Sequence, residues 1–107
     1  MDNIQVRPFD SSDRVAWGRL YRSYALAGGV RADGEQVDRV CNWILSASRA
    51  TFCYVATAGP TAQELEHVGF VHWRPFEIPI LGTEALYIDD LFVDPAHRGK
   101  GTAARLI

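Results

Sequence analysis

Cysteine is scarce in this chain. Cys41 and Cys53 are the only two, they lack metal-type spacing, and both sit among apolar neighbours. That pattern argues against a disulfide framework or a zinc site and predicts two buried free thiols. Basic charge is not in excess either. Against 13 Asp and Glu stand 11 Lys and Arg, a net charge of −2, which argues against a nucleic-acid surface. No apolar run approaches the ~20 residues that span a bilayer. The start, Met1-Asp2-Asn3-Ile4, has no basic-then-apolar signal pattern. Internal repeats, low-complexity tracts and linkers are missing too. These absences predict a cytoplasmic protein with no nucleic acid, membrane or metal among its partners.

What is present is the composition of an ordinary globular chain, 48% hydrophobic and 22% charged. Its 107 residues allow one domain. Ile4-Gln5-Val6-Arg7-Pro8 alternates apolar and polar and predicts a first strand. Asp10, Ser11 and Ser12 offer caps for a first helix. Its buried face is Trp17, Leu20, Tyr21 and Tyr24, spaced i, i+3, i+4, i+7. Gly28-Gly29 ends it, and residues 25–32 read as a glycine-containing loop. Asp33 with Gln36 predicts a capping box for a second helix, whose buried stripe is Val37, Val40, Cys41, Ile44 and Leu45.

Residues 51–56 are a β-rich run, 58–61 a turn, and 67–73 the next strand, which together predict an antiparallel hairpin. Residues 74–83 hold two prolines and a glycine and read as a long loop, before a strand over 86–93. The order is strand, helix, helix, three strands, helix. It predicts an α/β fold (α+β, mixed sheet) with helices on the sheet faces.

One stretch organises the rest. Tyr87-Ile88-Asp89-Asp90-Leu91-Phe92-Val93 reads as the central strand, and Pro95 stops it because proline cannot donate to a ladder. Arg98-Gly99-Lys100-Gly101 forms a basic turn, and Thr102-Ala103-Ala104-Arg105-Leu106 opens a helix. Such a turn points free backbone amides one way and is an anion site. Gly99 and Gly101 let a phosphate approach the backbone, and Arg98 and Lys100 add charge. Gly99-Lys100-Gly101-Thr102 superficially resembles a nucleoside-triphosphate P-loop. However, Lys100 is not followed directly by Ser or Thr, and the upstream glycine is missing.

Arg98-x-x-Gly101-x-Ala103 resembles the (Gln/Arg)-x-x-Gly-x-(Gly/Ala) signature of the GCN5-related N-acetyltransferase (GNAT) family. The acidic pair before an aromatic-valine step is most similar to the diamine and polyamine branch. The resemblance covers the N-terminal part of that domain over 1–107. It implies a GNAT-like acyl-coenzyme A N-acyltransferase fold whose C-terminal portion is missing here. It also implies acetyl transfer from the cosubstrate acetyl-coenzyme A to the primary amine of a small molecule. Arg98, Gly99, Lys100, Gly101, Thr102 and Ala103 would hold the pyrophosphate. The backbone of Leu91, Phe92 and Val93 would pair with the pantetheine arm, an amide there polarising the thioester carbonyl.

Attack requires a neutral amine, so a base is useful. Asp89 matches the acidic position that serves in the polyamine branch, which commonly has Glu, so a water relay is expected. Asp90 competes, and strand alternation lets only one of the pair face a given cleft. The structural alternative is one solvated and one hydrogen-bonded acid. The leaving thiolate's acid, a tyrosine in the family, would lie beyond Ile107, and Tyr87 reads as core. Either His72 or Trp73 could line the acceptor pocket, while His67 and His97 read as packed or supporting. Arg31, Glu77 and Glu84 read mainly as solvated; the resemblance implies that the loop of Arg31 lies over the acceptor site, and the charge of Glu77 and Glu84 could attract a cationic amine. The alternative function is an incomplete coenzyme A-binding half-domain that catalyses nothing without a partner. An unfinished sheet edge predicts a homo-oligomer or a complementing C-terminal segment.

Overall fold

The structure, a computed structural model, describes residues 3–107. Met1 and Asp2 of the predicted single domain lie outside the described residues. The elements run β1 (Asn3–Pro8), α1 (Arg14–Ala27), α2 (Gly34–Leu45), β2 (Phe52–Gly59), β3 (Glu66–Ile78), β4 (Thr83–Val93) and α3 (Thr102–Leu106). The strands form one sheet in the order β1-β2-β3-β4, and each described pair is antiparallel.

Alternation along β2 divides the core. Cys53 and Val55 face α1 and α2, joining Trp17, Leu20, Val37, Val40, Cys41, Phe70 and Phe92. Ala56 and Ala58 face the other way, with Val68, Val71, Val93 and Leu106 of α3. Each large apolar side chain fully buried this way contributes ~1.5–3 kcal/mol. Cys41 and Cys53 are buried free thiols, as expected. Asp33 caps α2 by accepting from the Gln36 amide at 2.8 Å. The reciprocal half of the capping box is not made, because the Gln36 side chain donates from Nε2 to the Tyr21 hydroxyl at 3.3 Å instead. Leu45, expected in the buried stripe, is exposed at the end of α2.

The main departure from expectation is residues 74–83. They continue β3 into β4 through a short turn at Pro79–Leu81, with register from Arg74↔Tyr87 to Ile78↔Thr83. Pro75 is tolerated because β2 begins opposite Trp73, so β3 has only β4 beside it there. Gly82, at φ 62°, closes the turn in the left-handed region. Tyr87, expected in the core, lies exposed on this extension, with the Arg74 guanidinium 5.0 Å from its ring centroid.

Two irregularities shape the sheet. In β2–β3, Ala56 faces Gly69 while Thr57 faces His67, leaving Val68 extra. In β3–β4, His72 faces Asp90 while Trp73 faces Ile88, leaving Asp89 extra. Gly69 sits where β4 comes close: a Cβ there would lie 2.8 Å from the Phe92 carbonyl oxygen and 3.3 Å from Leu106 Cδ1. Gly69→Ala is therefore expected to cost ~1–3 kcal/mol by overpacking. Urea unfolding measures this, and an unmoved midpoint would contradict it.

Candidate functional site

Val93 ends β4, and a single turn at Pro95–His97 carries the chain into the basic loop. Asp94 caps that turn by accepting from the Ala96 amide at 3.0 Å. Arg98 folds back: its Nε donates to the Val93 carbonyl at 2.9 Å, and its guanidinium lies 5.6 Å from the Phe92 ring centroid. Gly99 and Gly101 adopt φ of 80° and 77°. A Cβ at either position would meet nothing within 4 Å, so both look onto open space rather than packed chain. Among the described residues, no acceptor is found for the amides of Gly99 to Ala103. Thr102 Oγ1 is buried and likewise has no partner. A cavity of about 400 Å³ lies over these groups, lined also by Leu91, Phe92, Val93 and His97. Free amides, open glycines and an unpartnered hydroxyl fit an anionic ligand.

Two further clefts lie along the same strand and share residues with this cavity or with each other. One, of about 610 Å³, shares Leu91, Phe92 and Arg98 with it and reaches Tyr21, Tyr24, Gln36 and Asp90. The other, of about 430 Å³, shares Tyr21 and Asp90 with the second and adds Trp43, His72, Arg74 and Asp89. The result is a groove along β4 from the glycine turn to the acidic pair. The outer edge of β4 has no neighbouring strand among the described residues, so its backbone is free to pair with an amide-bearing ligand.

Both acids of the pair line the same cleft, against the expectation that only one would. The bulge at Asp89 is the reason, since an extra residue breaks alternation and re-aims side chains. The two differ in partners. Asp89 lies 3.3 Å from Arg74 Nε and is about one-third exposed. Asp90 lies 2.9 Å from His72 Nδ1. That hydrogen bond, opposed by burial and reinforced by Tyr24, holds the Asp90 carboxyl below its usual range. Tyr24 is pushed up to about 12, first by its bond to Asp90 and then by burial.

Of the residues weighed as pocket-lining, His72 enters the cleft. Trp73 stacks on Phe52 at 4.6 Å and belongs with the opposite face. Glu77 and Glu84 pair across the hairpin end and line a separate depression. Helix α1 runs on to Ala27, past the expected loop start, and from this connection Val30 rather than Arg31 lines the cleft. His67 is 2.7 Å from the buried Asp13, and His97 is 3.6 Å from Glu66. Tyr21, Tyr24 and Trp43 were missed as cleft residues. Helical spacing marks an apolar face but does not distinguish core from a cleft wall.

A model of the acetyltransferase (GNAT) family matches residues 16–107. Solved structures agree in fold. A ribosomal-protein-alanine N-acetyltransferase from Brucella melitensis biovar Abortus 2308 superposes with a TM-score of 0.73 at 24% identity, over 97% of this chain and 66% of that one. An integron cassette protein from the mobile metagenome of Cole Harbour Salt Marsh gives 0.81 at 24%, over 95% and 64%. The aminoglycoside N-acetyltransferase AAC(6')-Iy in complex with coenzyme A gives 0.78 at 16%, over 99% and 65%. The chain thus spans slightly under two-thirds of the length of these structures and shares their α+β fold. No protein of curated function matches the sequence significantly.

Proposed function

Because the chain belongs to the GNAT acetyltransferase family, we propose that it transfers an acetyl group from acetyl-coenzyme A to the primary amine of a small cationic molecule by direct attack. The observation that carries this reading is the series of clefts along β4, each sharing lining residues with the next, from the open glycine turn to the acidic pair. Lys100 and the loop amides would hold the pyrophosphate, and the free edge of β4 at Leu91 to Val93 would align the pantetheine arm. Arg98 is committed to Val93 through Nε, so it would both fix the loop to β4 and offer its remaining donors to the anion.

Asp89 is the proposed base, taking a proton from the incoming ammonium directly or through water and so exposing the amine lone pair. The amine nitrogen then bonds to the thioester carbonyl carbon, the carbon–sulfur bond breaks, and the excess proton left on nitrogen passes to the departing thiolate, giving the amide and coenzyme A thiol. Tyr21, Tyr24 and Trp43 beside two acids suit a cationic chain, since aromatic faces and carboxylates both attract ammonium groups. That supports polyamines as the first acceptors to test. The unpaired outer edge of β4 and the exposed apolar residues Phe52, Leu86 and Ile88 support pairing with a second copy or a complementing segment.

Calorimetric titration with acetyl-coenzyme A tests the binding half. Saturable binding is expected, weakened ~10-fold or more by Arg98→Ala and further by Gly101→Asp. The latter strains a left-handed position and sets a negative charge where the phosphates would lie. Absence of wild-type binding, or equal binding by all three proteins, would overturn the proposal.

A further inference from the structure

His72 is the one histidine fully enclosed by the fold, 2% exposed in the middle of β3. Both of its ring nitrogens are engaged. Trp17 Nε1 donates to His72 Nε2 at 2.9 Å, and His72 Nδ1 stands 2.9 Å from Asp90 Oδ2. An indole N–H can only donate. The nitrogen that accepts from it must therefore carry a lone pair, and the ring hydrogen must sit on Nδ1, facing Asp90. This fixes a tautomer that a histidine ordinarily leaves open. It also closes a route: a proton taken from Asp90 cannot leave through Nε2, because Trp17 offers no acceptor.

We propose that His72 is a positioning residue, locked by Trp17 in its Nδ1–H tautomer, which orients Asp90 and leaves that carboxylate's charge uncancelled at the acceptor cleft. The ring is packed among aromatic and apolar groups. Phe70 and Tyr21 flank it at centroid distances of 4.6 and 5.7 Å. Cys53 is its neighbour in β2, and α2 presents Val40 and Trp43 to the same cleft. Arg74, two residues on in β3, is spent on Asp89. In this tautomer Asp90 receives the Nδ1–H hydrogen bond without a countercharge, the condition under which a carboxylate still attracts a cation. Asp89 and Asp90 divide the work: the first, on the bulge, is placed for proton transfer, and the second holds the ammonium end of the acceptor. The inference rests on the transferase reading for the identity of that acceptor.

Long-range proton–nitrogen correlation spectra of the full chain, with labelled histidine, read the tautomer directly. At neutral pH the expected signal is Nδ1 protonated and Nε2 acting as acceptor, with mixed tautomers in Trp17→Phe. An Nε2–H form or an imidazolium in the wild type would overturn the lock.

The consequence is read with spermidine at saturating acetyl-coenzyme A. Histidine 72 changed to leucine (H72L) is expected to raise the spermidine KM about 10-fold or more while the acetyl-coenzyme A KM holds. His72→Asn, whose side-chain amide donates near the former Nδ1, is expected to restore most of it. Equal KM values in wild type and H72L, or no recovery in His72→Asn, would overturn the positioning role. Failure of the wild type to bind acetyl-coenzyme A would instead count against the transferase reading and leave the tautomer result standing.

Discussion

Arg7→Ala is expected to lower the unfolding free energy by ~3–5 kcal/mol, among the largest effects of any single change. Asp13, at the start of α1, is completely enclosed. Its carboxylate accepts from Arg7 Nη1 and Nη2 at 2.7 and 2.6 Å, from the Asp10 amide at 2.8 Å, and lies 2.7 Å from His67 Nε2. One side chain thus ties β1, the entry to α1 and β3 together. Removing Arg7 leaves a carboxylate in the interior without its main countercharge, and breaking such a pair costs far more than the pair itself contributes. Burial pushes the Asp13 carboxyl up, but Arg7, the Asp10 amide and His67 outweigh it and hold it far below the usual range.

The sign follows from that depression. The contribution is fully present above the unfolded value near 4 and is lost as pH falls below it toward the folded value. Urea midpoints taken from pH 7 down to pH 3 are expected to fall for the wild type and to fall less steeply for Arg7→Ala. A loss under ~1 kcal/mol at neutral pH would mean that the cluster behaves as an exposed ion pair.

Asp89→Asn is expected to reduce kcat by ~10²–10⁴-fold, the usual contribution of a positioned base, with acetyl-coenzyme A binding retained. Asparagine keeps the shape of the bulge and can still face Arg74, but it cannot take a proton. Asp90→Asn is expected to act differently, raising the acceptor KM more than it lowers kcat, because Asp90 is held by His72 and Tyr24 below its usual range and is a poor base. Full kinetics of both variants separate these outcomes. If Asp89→Asn kept wild-type kcat while Asp90→Asn lost it, the assignment of roles would be reversed.

The glycine turn between β4 and α3 was legible in the sequence because its signals are local. Pro95 breaks a strand and two glycines take positive φ, each within a few residues of the motif that depends on it. The cleft at the acidic pair was less so. Residues 74–83 look like a loop because Pro75, Pro79 and Gly82 are breakers, yet here they form a strand, a turn and its closure. Pro75 is allowed by the point at which β2 starts, a fact that no local window contains. The bulge at Asp89 is also a matter of pairing between strands, so alternation misjudged which acids share a cleft. Tyr21 and Tyr24 were placed on the right face of α1, but a face that covers a sheet partly and walls a groove partly has one periodicity. His67 lies 54 residues from Asp13 and Trp17 lies 55 from His72 in sequence, and nothing local announces either contact.

The central claim is that this groove brings an amine to an acetyl thioester. Its most direct test is to mix the purified protein with acetyl-coenzyme A and spermidine and follow free thiol while weighing the amine by mass spectrometry. The account predicts amine-dependent thiol release matched by one acetyl group gained on the amine, both lost in Asp89→Asn. Saturable acetyl-coenzyme A binding with no thiol release from spermidine or any other primary amine would contradict it and leave a binding module without catalysis.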